Sequence, residues 1–119
     1  MRFLMLAMLS LPNMLLGQDQ VFYAGCQEAD FLLIEADVVE VKIQGMKYEP
    51  KCLRVKAGTT VILPASKKHP LQGSADIDGL LNPLGGSELY ESAQSIVLQD
   101  LGQMGYFCEK HGNGATGSG

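Results

Sequence analysis

The 119-residue sequence has no tryptophan, only two histidines and only three cysteines. Any chemistry that needs an imidazole must therefore use His69 or His111. Charge is sparse too: 18% of residues are Asp, Glu, Lys or Arg, and nine basic side chains stand against 13 acidic ones, a net charge of −4. A nucleic-acid binder carries a basic surplus, so that class is disfavoured. With 46% hydrophobic residues the chain is too apolar to stay disordered. No apolar run reaches the about 20 residues of a membrane-spanning helix. The length is that of one domain, which can bury roughly two-thirds of its unfolded surface.

What is present starts with a leader. Met1-Arg2 is a positive start, Phe3 to Leu16 is apolar apart from Ser10-Leu11-Pro12-Asn13, and Gly17 precedes the polar Gln18-Asp19-Gln20. This predicts a secretory signal peptide over residues 1–17 and a single exported domain over 18–119. Tyr23-Ala24-Gly25-Cys26 loosely resembles a lipoprotein cleavage box, which leaves lipidation at Cys26 as a minor alternative. All three cysteines, Cys26, Cys52 and Cys108, lie beyond the leader. In an oxidising compartment two of them are expected to pair, and the odd one is reactive or bound to something.

The rest reads as an all-β domain without internal repeats. Val39, Val41 and Ile43 alternate with Glu40, Lys42 and Gln44, the period of a half-buried strand. Leu53 and Val55 alternate with Arg54 and Lys56, and Gly58 turns the chain into Thr59–Leu63, which Pro64 ends. Ser95–Leu98 and Met104–Cys108 are further strands, rich in β-branched and aromatic residues. Residues 71–94 read as loop, with Leu80, Leu81, Leu84 and Leu89 packing on something and a short helix over Ser87–Ala93.

The chemistry concentrates in Tyr106-Phe107-Cys108-Glu109-Lys110-His111-Gly112. Cys108 closes a strand and His111 follows three residues on, a spacing that lets a thiolate and an imidazole converge on one ion. Cys-x-x-His alone is a weak signal, and a buried thiol beside a surface histidine would match it. His69, in Lys67-Lys68-His69-Pro70-Leu71 after another strand, strengthens it. Two histidines and one cysteine outside a disulfide are the donors of a blue-copper centre, a trigonal site with a weak axial ligand. A closed structural zinc site wants four Cys or His ligands, and one thiol with two imidazoles supplies three. Haem attachment would need a Cys-x-x-Cys-His that is absent, and a nucleophilic Cys108 has no oxyanion-hole motif beside it.

At these residues the chain resembles the cupredoxins, the plastocyanin- and azurin-like blue copper proteins. Tyr48-Glu49-Pro50-Lys51-Cys52-Leu53-Arg54-Val55-Lys56-Ala57-Gly58-Thr59-Thr60-Val61 is similar to the family's Y-x-P-x-x-L-x-V-x-x-G-x-x-V stretch. His69-Pro70-Leu71 is similar to the segment carrying the upstream histidine in one bacterial subgroup, and Tyr106–Gly112 to the ligand loop Y-x-C-x-x-H-G. The resemblance covers about residues 39–112. It implies a Greek-key β-sandwich, His69, Cys108 and His111 as ligands of one type 1 copper ion, and a Cys26–Cys52 disulfide. It further implies a non-enzymatic, exported or periplasmic carrier of single electrons between redox protein partners, monomeric and without a membrane span. A copper chaperone or storage module of the same fold, and a metal-free secreted interaction domain, are the alternatives.

The sequence departs from the family in one respect. Cupredoxins place a methionine shortly after the second histidine, followed by a last strand, whereas residues 112–119 are Gly-Asn-Gly-Ala-Thr-Gly-Ser-Gly. The expectation is a sandwich lacking its last strand here, its axial ligand absent or beyond residue 119. Met104 and Met46 are expected to pack rather than to ligate. Lys42, Lys47, Lys51, Arg54, Lys56, Lys67 and Lys68 crowd a stretch where Glu49 is the only acid. They are either a docking field for an acidic partner or the solvated positions of alternating strands.

Overall fold

A computed structural model describes residues 22–110. The leader 1–17, His111 and the tail 112–119 lie outside these residues. Two single-turn 3-10 helices, Tyr23–Gly25 and Glu28–Asp30, open the described chain, and everything regular after them is strand. The strands are β1 (Leu32–Ile34), β2 (Val38–Glu40), β3 (Lys42–Gln44), β4 (Lys47–Glu49), β5 (Leu53–Val55), β6 (Thr59–Leu63), β7 (Leu71–Gly73), β8 (Leu89–Tyr90), β9 (Gln94–Leu98) and β10 (Tyr106–Cys108). The all-β expectation holds among the described residues.

β6 organises one sheet. Its run of β-branched residues places Thr59, Val61 and Leu63 inward, with Thr60 and Ile62 less buried, the alternation that a pleated strand imposes. It pairs in parallel with β2 (Val39 opposite Val61) and antiparallel with β9 (Val61 opposite Ile96). A second sheet has β7 between β10 and β8, with Cys108 opposite Leu71 and Leu71 opposite Tyr90. β1 lies parallel to β5, and β3 and β4 form a hairpin whose two-residue turn begins at Gly45, φ 66°. Glycine takes that left-handed conformation without a Cβ clash. Val41, Tyr48, Val61, Leu63, Leu71, Leu84 and Cys108 meet in one core drawn from both three-stranded sheets.

Several local expectations change. The alternation from Val39 to Ile43 predicts one strand, but the chain changes partner at Val41. That residue is fully buried and donates its amide to the Ile62 carbonyl (2.9 Å), after which β3 turns away to pair with β4. Ser87–Ala93 is not helical: Leu89 and Tyr90 form β8 against β7, and the Tyr90 hydroxyl donates to the Leu84 carbonyl at 2.7 Å. Within the segment read as loop, β7 and β8 are strands. Leu84 is buried as expected, whereas Leu81 stands in solvent, and so does Met46 at the β3–β4 turn rather than packing.

The N-terminal segment is fastened to the start of β5. Cys26 and Cys52 form a disulfide, as the resemblance implied, with their Cα atoms 6.1 Å apart. That bond consumes the Cys26 sulfur and removes lipidation there. Next to it the Leu32 amide donates to the Cys52 carbonyl (3.0 Å), and Arg54 lies over the Phe31 ring at 4.9 Å while pairing with Glu28.

Candidate metal centre

Cys108 is the described thiol outside the disulfide, and it is 2% exposed at the end of β10. His69 sits in the turn that leads into β7, half-buried. That turn is closed on itself: the His69 amide donates to Ser66 Oγ and the Ser66 amide to the His69 carbonyl, both at 3.1 Å. Pro70 follows, fully buried, and its carbonyl accepts the Glu109 amide at 2.9 Å. The segment holding the histidine is thereby bonded to the residue after the cysteine.

The result is Cys108 Sγ 3.9 Å from His69 Nδ1, although the two residues are 39 apart in sequence. A thiolate and an imidazole at ordinary metal–ligand lengths of about 2.3 and 2.0 Å stand roughly 3.6–3.7 Å apart across a trigonal angle. The observed spacing suits two donors to one ion. A soft thiolate with imidazole selects copper or zinc over hard cations. The donor set therefore fits copper as far as it is described, and His111, the third expected donor, lies outside the described residues. Among the described residues no group of three His, Cys, Asp or Glu side chains converges.

Asn82, within the stretch whose sequence reads as loop, ties the ends of β7 and β10 together. It is buried, and its Nδ2 donates to the Gly105 carbonyl (2.9 Å) just before β10 and to the Ser74 carbonyl (3.0 Å) just after β7. Its Oδ1 accepts the Leu84 amide, and its own amide donates to Asp76 Oδ1. Small residues make the approach possible. A Cβ on Gly73 would come within 2.6 Å of the Gly85 carbonyl, and one on Gly105 would strike the Tyr23 ring.

Behind the thiol, Tyr48 and Tyr106 pack edge to face with ring centroids 5.0 Å apart. Burial pushes the Tyr106 hydroxyl up to about 12. Burial raises Tyr48 as well, with the charges of Cys108 and Tyr106 adding to it. Both phenols stay neutral at physiological pH, so the thiol has no anionic neighbour from them. Met104 packs against the core. The basic stretch is solvent-exposed, with Lys42, Lys47 and Arg54 on strands and Lys51, Lys56, Lys67 and Lys68 in the connections; Lys42 pairs with Glu40, Arg54 with Glu28 and Lys56 with Asp37. Surface pairs of this kind contribute little to stability.

Comparison of the chain with protein-family models, curated proteins and solved structures finds no match. No helix among the described residues is long and apolar enough to cross a membrane.

Proposed function

We propose that this is an exported cupredoxin-like protein that carries single electrons through one type 1 copper ion, and that it is not an enzyme. The observation that carries the reading is the buried Cys108 thiol at 3.9 Å from His69 Nδ1. His69, Cys108 and, by sequence spacing, His111 would hold the ion. When bound, copper supplies the Cu(I)/Cu(II) couple. The chain supplies the rest. The Ser66–His69 turn fixes the backbone that carries the imidazole, the β7–β10 pairing fixes the strand that carries the thiol, and the Asn82 bonds keep the two strands from sliding. Donors held this firmly need little movement between oxidation states, which is the property an electron carrier requires. The disulfide keeps Cys26 and Cys52 from competing as ligands, and it suits an oxidising compartment outside the cytosol. A Greek-key sandwich is the arrangement of the two sheets that this reading adopts.

The test is a Cu(II) titration of the chain followed by visible absorption, with Cys108→Ala and His69→Ala as separate variants. An intense thiolate-to-copper band that Cys108→Ala abolishes and His69→Ala shifts or weakens is expected. A colourless folded protein, or colour that survives Cys108→Ala, refutes the proposal.

A further inference from the structure

Between β7 and β8 the chain makes a short excursion whose tip is the pair Asp78-Gly79. Ile77 and Leu80 face each other across it as an antiparallel bridge, and the Leu80 amide donates to the Ile77 carbonyl at 2.9 Å. Both tip residues have positive φ, 51° for Asp78 and 83° for Gly79, as in a two-residue hairpin turn. Glycine takes that conformation freely, whereas a residue with a Cβ is strained in it, aspartate less than most. Asp78 and Gly79 are both exposed. Below the tip the excursion is closed: the Asn82 amide donates to Asp76 Oδ1 at 2.8 Å, and the Asn82 side chain holds the Ser74 and Gly105 carbonyls. Above that base, the Leu80–Ile77 bond is the one main-chain bond among the described residues.

The chemistry of the chain singles out the same pair. An aspartyl carboxyl carbon is within reach of the main-chain nitrogen of the next residue, and the two can close a five-membered imide unless the next side chain obstructs it. Asp30, Asp37, Asp76 and Asp100 are followed by Phe31, Val38, Ile77 and Leu101, all bulky, whereas Asp78 is followed by glycine.

We propose that Asp78 is a self-modification site, at which the folded protein converts its own aspartyl linkage to an isoaspartyl one. The Gly79 nitrogen loses its proton and bonds to Asp78 Cγ, whose hydroxyl leaves and takes up a proton as water. Water then adds to either ring carbonyl. Opening at Cγ restores aspartate. Opening at the Asp78 main-chain carbonyl breaks its bond to the Gly79 nitrogen, frees an α-carboxylate and leaves the chain running through Cβ and Cγ. Water is the only co-reactant, and the mass is unchanged. Ring closure requires the turn to open, and a single neutral hydrogen bond holds such an opening back by about tenfold at most. The added main-chain methylene ends the Ile77–Leu80 pairing, while the bonds made by Asn82 keep the change local.

The experiment incubates the full chain at neutral pH without added metal, so its outcome is independent of copper, beside a free peptide of residues 74–83. Both are sampled over time, the protein after digestion, and isoaspartate is located by electron-transfer fragmentation, which distinguishes the two linkages of equal mass. Asn113-Gly114, outside the described residues, can close the same imide with loss of ammonia and is scored separately. Isoaspartate is expected at Asp78 ahead of every other described aspartate, at a rate within about tenfold of the peptide's. Asp78→Asn should react faster, read as the mass gain of deamidation, and Asp78→Glu, which needs a six-membered ring, should stay unmodified. Both substitutions are at an exposed position, and circular dichroism checks that each variant is folded. Protection of Asp78 beyond about tenfold relative to the peptide overturns the proposal, because the closed turn then shields the site. Isoaspartate forming first at Asp76 or Asp100, or an Asp78→Asn protein that does not deamidate at this position, also overturns it.

Discussion

Replacing Cys26 and Cys52 together with alanine should destabilise the fold without disturbing the thiol–imidazole pair. The disulfide closes a loop with a sequence separation of 26. Chain entropy for a loop of that size gives about 3.5 kcal/mol at 25 °C. That is a large share of the ~5–15 kcal/mol that holds a domain together. What would remain at this corner is modest. β1 and β5 share only three register pairs, Leu32 and Leu33 are more than half exposed, and the Glu28–Arg54 pair lies at the surface. The N-terminal segment, including the Tyr23 ring packed against Gly105, should loosen first.

The assay is equilibrium urea unfolding of the Cys26→Ala/Cys52→Ala protein against the parent. With a slope of about 1.5 kcal/mol/M, the loss moves the midpoint down by roughly 2 M. A thiol reagent added in native buffer reads the second half of the prediction. Cys108 is held by β10–β7 pairing and by Asn82, none of which passes through the disulfide. Its buried sulfur should therefore stay as slow to react as in the parent. A loss below about 1 kcal/mol would show that the loop is ordered without its bond. Prompt labelling of Cys108 in the folded variant would show that the corner and the centre are coupled, and would refute the separation argued here.

Asn82→Leu strands the Ser74 carbonyl and the Leu84 amide and leaves the Gly105 carbonyl with the Ser74 amide alone, so denaturant unfolding should show a loss of about 2 kcal/mol or more. Asn82→Asp should be worse at neutral pH and recover as the pH is lowered, because only the protonated acid can donate to those carbonyls; a pH-independent loss would contradict it. For Tyr106 the folded state favours the neutral phenol, up to about 12. Its contribution is fully present below the unfolded value of about 10 and is lost as the pH rises towards 12, some ~3 kcal/mol in all. Tyr106→Phe should shift alkaline unfolding, followed by circular dichroism, to higher pH. Since the hydroxyl it removes has no described partner, the substitution should be close to neutral at pH 7.

The parts legible in the sequence are those whose signal is local. β6 could be read because alternate residues of Thr59–Leu63 face one core, and the β5 and β9 alternations could be read for the same reason. Cys108 and His69 could be picked out because histidine and cysteine are scarce. The misses depend on distant partners. Leu89 and Tyr90 sit among residues that suit a short helix, yet β7 offers them a ladder, and tertiary pairing overrides so short a propensity. The break at Val41 is invisible because the alternation continues through it while the neighbour changes from β6 to β4. Asn82 looks like any turn residue between Leu81 and Pro83. Its bond to a carbonyl 23 residues away has no trace in the sequence.

The way the two proposed donors are held decides what loss of colour in each variant means. His69 is fixed through its backbone, by two bonds to Ser66 and by the buried Pro70 that follows. Cys108 is fixed through its strand, opposite Leu71, and through the Asn82 bond to Gly105 three residues earlier. Replacing either side chain by alanine removes a donor but leaves these main-chain restraints in place. A loss of copper colour in a well-folded Cys108→Ala protein is then a statement about ligation. A loss of colour in an Asn82 variant that keeps both donors would be a statement about their positioning, and the two are separable because Asn82 touches neither Sγ nor the imidazole by any bond described above. Stiffness built from backbone hydrogen bonds around the two proposed donors, one in the turn before β7 and one at the end of β10, is what a site needs if electrons are to pass with little motion of its ligands.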